Sequence, residues 1–360
     1  MVHSDWTRRH AERTPDKLAM VDLHSRRQLN YRQFNQRANR FASFLRDELG
    51  IEQGDRISIL AKNSSDYFEV LFACSKIGAI LNTLNWRLTV PELEYIISDC
   101  APRMLIYEPE FEESVDGLRS LVEFEAYVVM GTKAPEAEWT YEDALEAGDP
   151  ADFEGPRLDY DTTWAILYTS GTTGRPKGAM VTYRNFFYNA VGMGQAIQCS
   201  AVDVNLVMLP TFHAGGLGLY AGPTFYFGGT VVIMRDFDPG EMLRAIENWR
   251  VTTIILVPPM YLMLHDHPAY GQYDLSSVRL WSSGGSPLPP SLVELYAQDD
   301  IIIQQGFGMT ETGPTVFLIP KGDAVRKAGS VGKPVLHTDV CIMDQDHKVL
   351  GPDEVGELCI

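Results

Sequence analysis

The stretch Tyr168-Thr-Ser-Gly-Thr-Thr-Gly-Arg-Pro-Lys-Gly178 concentrates the groups needed to hold a polyphosphate. Gly171, Gly174 and Gly178 tolerate positive φ and close backbone approach, so successive amides can turn inward as an anion-binding nest. Ser170, Thr172 and Thr173 add hydroxyl donors, and Lys177 adds a point charge. A Walker A loop is excluded by spacing, because Lys177 follows Pro176 where that motif needs glycine. The plain alternative for the loop is a polar surface hairpin, and for Lys177 a surface lysine at a helix start. By the surrounding pattern, the loop follows a strand and precedes a helical segment.

Thr169 to Gly178 resembles the phosphate loop of the adenylate-forming superfamily, which includes acyl-CoA ligases, peptide-synthetase adenylation domains and luciferases. Further segments match in that family's order. Leu209-Pro-Thr-Phe-His-Ala-Gly-Gly216 is similar to its acyl-site segment, and Ser282-Ser-Gly-Gly-Ser-Pro-Leu288 to its adenine loop. Gln305-Gly-Phe-Gly-Met-Thr-Glu-Thr312 resembles the segment that meets AMP and metal, and Gly356-Glu-Leu358 the turn before a ribose-binding aspartate. Leu29 to Phe34 and Lys76 to Asn82 are similar to its N-terminal landmarks. Leu81 to Ser98 most resembles fatty acyl-CoA ligases.

The resemblance implies an enzyme that joins a small carboxylic acid to ATP as an acyl-adenylate and passes the acyl group to coenzyme A. Attack of one anion on another needs neutralisation and positioning more than acid-base work. Glu311 would hold Mg²⁺, with Thr169 as a second contact. Thr310 would donate to the α-phosphate. Gly284, Gly285 and Ser286, with Gln305, Gly306, Phe307 and Gly308, would form the adenine site, where absent side chains let a flat base approach the backbone. Taken alone, Glu311 is an ordinary solvated loop acid, and Gly306 to Gly308 a turn. An isolated histidine beside Phe212 is more often structural than catalytic, yet in this family His213 would neighbour the carboxylate. Amino-acid-activating relatives carry an aspartate near Phe212-His213 to meet a buried ammonium. No acid stands between Leu209 and Tyr220, so an unsubstituted acid is expected, probed by a slot around Gly215, Gly216, Gly218, Tyr220 and Phe225.

The elements that must position these groups alternate between strand-like and helix-like, the pattern of an α/β fold with two doubly wound subdomains. Strands are expected at 56–61, 79–84, 104–107, 127–130, 164–169, 205–209, 230–234, 253–257, 278–281 and 301–304. Helices are expected at 66–77, 90–98, 241–249 and 290–296. The run 136–161, with ten acidic residues against Arg157 alone, reads as a surface excursion or boundary. That divides the chain into a first subdomain (1–160), a second carrying the phosphate loop (161–328), and the start of a small antiparallel β element (329–360). The family's C-terminal lid domain, with its adenylation lysine, is not among these residues. The chain is therefore expected to bind nucleotide and acyl-adenylate, adenylate poorly and make no thioester. The alternatives are an aryl-acid activating domain, or a non-catalytic module that binds AMP or acyl-adenylate.

Bulk properties narrow the class. A formal net charge of −18 argues against a nucleic-acid partner or anionic membrane surface. No apolar run is long enough to span a bilayer, and the charged start lacks the form of a signal peptide. The cysteines Cys74, Cys100, Cys199, Cys341 and Cys359 are scattered. Reduced thiols in a cytoplasmic protein are the expectation.

Overall fold

A computed structural model describes residues 5–136, 138–170 and 174–360. The strands begin with β1 (Leu18–Asp22) and β2 (Gln28–Asn30). They continue through β3 (Arg56–Leu60), β4 (Ile80–Thr83), β5 (Met104–Tyr107), β6 (Ala126–Val129), β7 (Trp139–Thr140), β8 (Thr163–Thr169) and β9 (Lys177–Thr182). β3 to β9 form one sheet in the order β7-β6-β5-β3-β4-β8-β9. It is parallel throughout except for β9, which folds back antiparallel on β8 and sets Lys177 opposite Thr169.

Next come β10 (Val204–Val207), β11 (Thr230–Ile233), β12 (Thr253–Leu256), β13 (Leu280–Ser283), β14 (Ile303–Phe307), β15 (Phe317–Leu318) and β16 (Lys333–Pro334). With β1 and β2 they build a second sheet, ordered β16-β15-β14-β13-β12-β10-β11-β1-β2. A third, two-stranded antiparallel sheet joins β17 (Cys341–Met343) to β18 (Glu357–Cys359). This mixed α/β arrangement is the expected fold class.

Sheet membership crosses the division at residue 160 in both directions. β1 and β2 complete the second sheet, with Met20 beside Val231. β8 and β9 complete the first, with Ala165 beside Leu81. An apolar strand satisfies its backbone with any parallel neighbour, so the pattern marks the strand but not its partner.

Between the sheets lies the helix Ser65–Ile77, in which every residue except Asp66 is buried. Its buried charges are paired, Glu69 with Arg37 at 2.7 Å and Lys76 with Asp5 at 2.7 Å. Ser64 caps its start by accepting from the Tyr67 amide at 3.2 Å, and Gly78 ends it at φ 74°. Its Phe72 ring packs among Trp6, Phe34, Trp164 and Phe225, with ring centroids 5–6 Å apart. The Trp164 indole donates to the Leu71 carbonyl at 2.9 Å, which satisfies the one polar atom this ring would otherwise bury.

Three differences from the sequence reading have physical causes. Part of 136–161 is structured, because Tyr141, Ala144 and Leu145 share a face of the helix Tyr141–Ala147 and bury it against the helix Tyr31–Asp47. Intervening acids masked that spacing. The phosphate loop leads into β9 rather than a helix, so Lys177 starts a strand; the helix Tyr183–Ala196 follows only after the capping box of Thr182 and Asn185. β13 and β14 lie two residues later than expected, which puts Gln305, Gly306 and Phe307 on a strand.

Candidate active site

The carboxyl ends of β12, β13 and β14 open into a cavity of about 530 Å³, where parallel α/β sheets bind ligands. Of the anticipated residues, His213, Gly284, Gly285, Gly306, Phe307, Gly308 and Thr310 line it. Ser286 is exposed beside it, and Gln305 is buried behind the wall. Gly285 adopts φ 78°, which favours glycine. Gly308 is glycine for a different reason than expected: a Cβ there would stand 1.7 Å from the Pro314 carbonyl oxygen. The fold itself, before any base, demands the missing side chain.

Two buried polar atoms at this end have no partner among the described residues, the Ser283 hydroxyl and the Gln305 Oε1. Unpaired buried polar atoms are costly, and Ser283 also lines the cavity. A ligand with hydrogen-bonding edges would satisfy it, so the donor set fits a nucleotide.

Thr169, at the end of β8, donates from its hydroxyl to Glu311 Oε1 at 3.1 Å. Glu311 sits on the short turn Thr310–Thr312, which is held by Thr312 Oγ1 accepting from the Met309 amide at 3.1 Å and closed by Gly313 at φ 76°. Residues 142 positions apart in the chain are thus brought into contact. Lys177 faces Thr169 across the hairpin and is exposed. Ser170 and Gly174 flank the loop, with Gly174 at φ 83°. Gly171, Thr172 and Thr173 lie outside the described residues. One carboxylate beside one hydroxyl, open to solvent, suits Mg²⁺, which keeps several waters and takes further oxygens from substrate phosphates.

His213 rides on a firmly anchored segment. Asn63, buried at the end of β3, donates to the carbonyls of Leu209 (3.0 Å) and Met234 (3.1 Å) and accepts from the Thr211 amide (2.8 Å). Thr83 donates to the Phe212 carbonyl at 3.1 Å. The His213 ring lies 4.6 Å from that of Phe212. The Arg87 guanidinium lies 4.4 Å from the Trp86 ring and 5.4 Å from that of Phe212. Desolvation, then the Arg87 charge, lowers the His213 pKa. The residue nevertheless remains exposed to solvent. Sequence reasoning missed Arg87 and Asn63. The adjacent Trp86-Arg87 pair was the available signal for the first, since aromatic faces attract cations.

Tyr220, Ile255 and Leu318 form an apolar wall, all nearly inaccessible to solvent. No aspartate or glutamate lines the cavity among the described residues. The expected slot is only partly there. Gly215 and Tyr220 contribute to it, but a Cβ at Gly216 would meet the Leu209 and Pro210 carbonyls at 2.3 Å, and one at Gly218 would meet Phe186. Phe225 belongs to the aromatic core, 5.5 Å from both Phe34 and Phe72.

Residues 7–360 match the family described as AMP-binding enzyme. The chain belongs to this AMP-binding family. Among its relatives is a feruloyl-CoA synthase from Amycolatopsis sp, 36% identical over 357 residues covering 99% of this chain and 69% of the relative. Another is the long-chain-fatty-acid–CoA ligase FadD13 of Mycobacterium tuberculosis, 30% identical over 356 residues covering 98% of this chain and 69% of that protein. The crystal structure of the anthranilate CoA ligase AuaEII in complex with anthranoyl-AMP superposes with a TM-score of 0.91 at 26% identity, covering 99% of this chain and 68% of that one. No helix among the described residues is long and apolar enough to cross a membrane.

Proposed function

We propose that the chain carries the acid-activating site of an AMP-forming acid:CoA ligase. The observation that carries this reading is one cavity that joins the glycine walls of 284–285 and 306–308 to the apolar wall of Tyr220, Ile255 and Leu318, with His213 and Thr310 lining it. In this reading the carboxylate of the acid attacks the α-phosphorus of ATP, pyrophosphate leaves, and coenzyme A later displaces AMP. Thr310 donates to the α-phosphate, Ser283 meets the nucleoside, and Lys177 with the hairpin loop steadies the departing phosphates. His213, its pKa lowered by desolvation and the Arg87 charge, would sit beside the reacting carboxyl, where its neutral form can accept a hydrogen bond or a proton. Glu311 and Thr169 would hold Mg²⁺, which when bound neutralises phosphate charge.

The acid in this proposal carries no cationic group, because no carboxylate lines the cavity among the described residues to meet one, while Arg87 adds positive charge to the wall. The resemblance of Leu81 to Ser98 points to a fatty acid. An aryl acid is the second reading, favoured by the Tyr220 face in the wall and by the names of the feruloyl and anthranilate relatives. Calorimetric titration with non-hydrolysable acyl-adenylate analogues of graded chain length, and one aryl analogue, distinguishes them. Affinity that climbs with chain length supports the fatty acid. A preference for the aryl analogue over every alkyl one supports the aryl acid, and equal affinity for all would remove the apolar wall from the account.

A further inference from the structure

The two-stranded sheet of β17 and β18 carries two cysteines that the proposed reaction does not use. Cys341 and Cys359 are register partners, directly opposite one another across the antiparallel pair. Partners of this kind hold their Cα atoms about 4.5–5.5 Å apart, inside the range of about 4.4–6.8 Å that a disulfide spans. Opposed residues also point to the same face of a sheet, so both thiols emerge on one side. Both side chains are partly open to solvent. The Cys359 thiol donates to the Glu357 carbonyl at 3.8 Å.

The other three cysteines differ in accessibility, although the pKa of the Cys359 thiol is raised as well. Cys74, Cys100 and Cys199 are buried and far apart in sequence. Burial pushes their thiols up to about 12, about 11 and about 12 respectively, which removes the reactive thiolate. Reactivity toward oxidants is therefore confined by accessibility to the β17–β18 pair.

We propose that Cys341 and Cys359 form a modification site, a dithiol that hydrogen peroxide or an organic hydroperoxide converts reversibly into a disulfide across β17 and β18. One thiolate attacks the peroxide oxygen, breaking the O–O bond and giving a sulfenic acid plus water or an alcohol. The second thiol then attacks the sulfenic sulfur, forming the S–S bond and releasing water. Two thiols are oxidised, one peroxide is reduced, and both thiol protons end in the oxygen products. A thiol reductant reverses the step by exchange. The bridge fastens β18 to β17, its only partner strand among the described residues, and closes the loop 342–358 covalently.

The test is peptide mapping of the native chain after equimolar hydrogen peroxide, followed by alkylation and trypsin. Trypsin cuts after Lys348 and so separates the two cysteines. The site predicts a pair of peptides joined through Cys341 and Cys359, two hydrogens lighter than their reduced sum, released by dithiothreitol and absent from Cys341→Ser. Native-state alkylation of Cys341 and Cys359 falls together in the oxidised chain, while Cys74, Cys100 and Cys199 stay unreacted until unfolding. Separate sulfinic or sulfonic forms without the linked pair would overturn the proposal. So would a link found only between two chains on a non-reducing gel.

Discussion

Replacing Asn63 with alanine tests how the segment carrying His213 is held. The side chain makes three hydrogen bonds, to the carbonyls of Leu209 and Met234 and from the amide of Thr211. Asn63 is 3% exposed and Thr211 fully buried, so truncation strands three backbone groups away from ready solvent. Each such group costs about 1–3 kcal/mol. Water entering the new space would recover part of that, leaving a net loss of about 3–6 kcal/mol. Urea unfolding followed by fluorescence would read this as a lower midpoint at unchanged slope. Calorimetry on the still-folded variant would show weaker binding of an acyl-adenylate analogue, because the wall bearing His213 loosens. Asn63→Asp keeps an acceptor for Thr211 but turns a negative charge toward two carbonyls, so it should be no better than alanine. A loss below about 1 kcal/mol for Asn63→Ala would refute the reasoning, since it would mean the three groups find other partners at once.

Other expectations follow from the same geometry. Glu311→Gln removes the charged member of the Thr169–Glu311 pair and should weaken Mg²⁺-dependent ATP binding about 10–100-fold, the equivalent of about 1.5–3 kcal/mol; magnesium-independent binding of AMP should change little. Gly308→Ala forces a Cβ onto the Pro314 carbonyl and should cost at least about 1–3 kcal/mol, visible as a lower Tm. Desolvation, then the neighbouring Asp66, raises the buried Glu69 carboxyl to about 7 against the opposing Arg37 charge. The folded state then holds its proton more tightly than the unfolded one, so this group's contribution to stability falls as pH rises from about 4.5 to 7. Denaturant titrations should show Glu69→Gln removing that part of the slope. Arg87→Gln should move the NMR titration midpoint of His213 upward, and an unchanged midpoint would take Arg87 out of the electrostatic account.

The candidate-site segments stood out in the sequence because each puts unusual residues in a fixed order: glycines with hydroxyls at 169–178, Gly284-Gly285, and Thr310-Glu311. Most strands were legible from apolar runs of strand length, as at Met104–Tyr107. What escaped had physical reasons. The pairing of β1 with β11 and of β8 with β4 is a long-range choice that no local run encodes. The helix Tyr141–Ala147 shows three apolar residues at helical spacing among acids, too few to stand out. Gly216 and Gly218 read as ligand-facing, yet carbonyls and a phenyl ring of the fold exclude their side chains, while Gly308 lines the cavity but is glycine because of the Pro314 carbonyl. Asn63 could not be distinguished from any polar residue at a strand end until the carbonyls of Leu209 and Met234 were seen converging on it.

The central claim, that one cavity receives both halves of an acyl-adenylate, is tested most directly by calorimetry with a single non-hydrolysable acyl-adenylate on the wild-type chain and on Gly284→Trp, which would place a bulky ring at the cavity wall. The account predicts one site per chain, tighter for the acyl-adenylate than for AMP or the acid alone, and lost in the variant with its fold intact by circular dichroism. Equal binding by the variant, or no gain of the joined molecule over its parts, would contradict it.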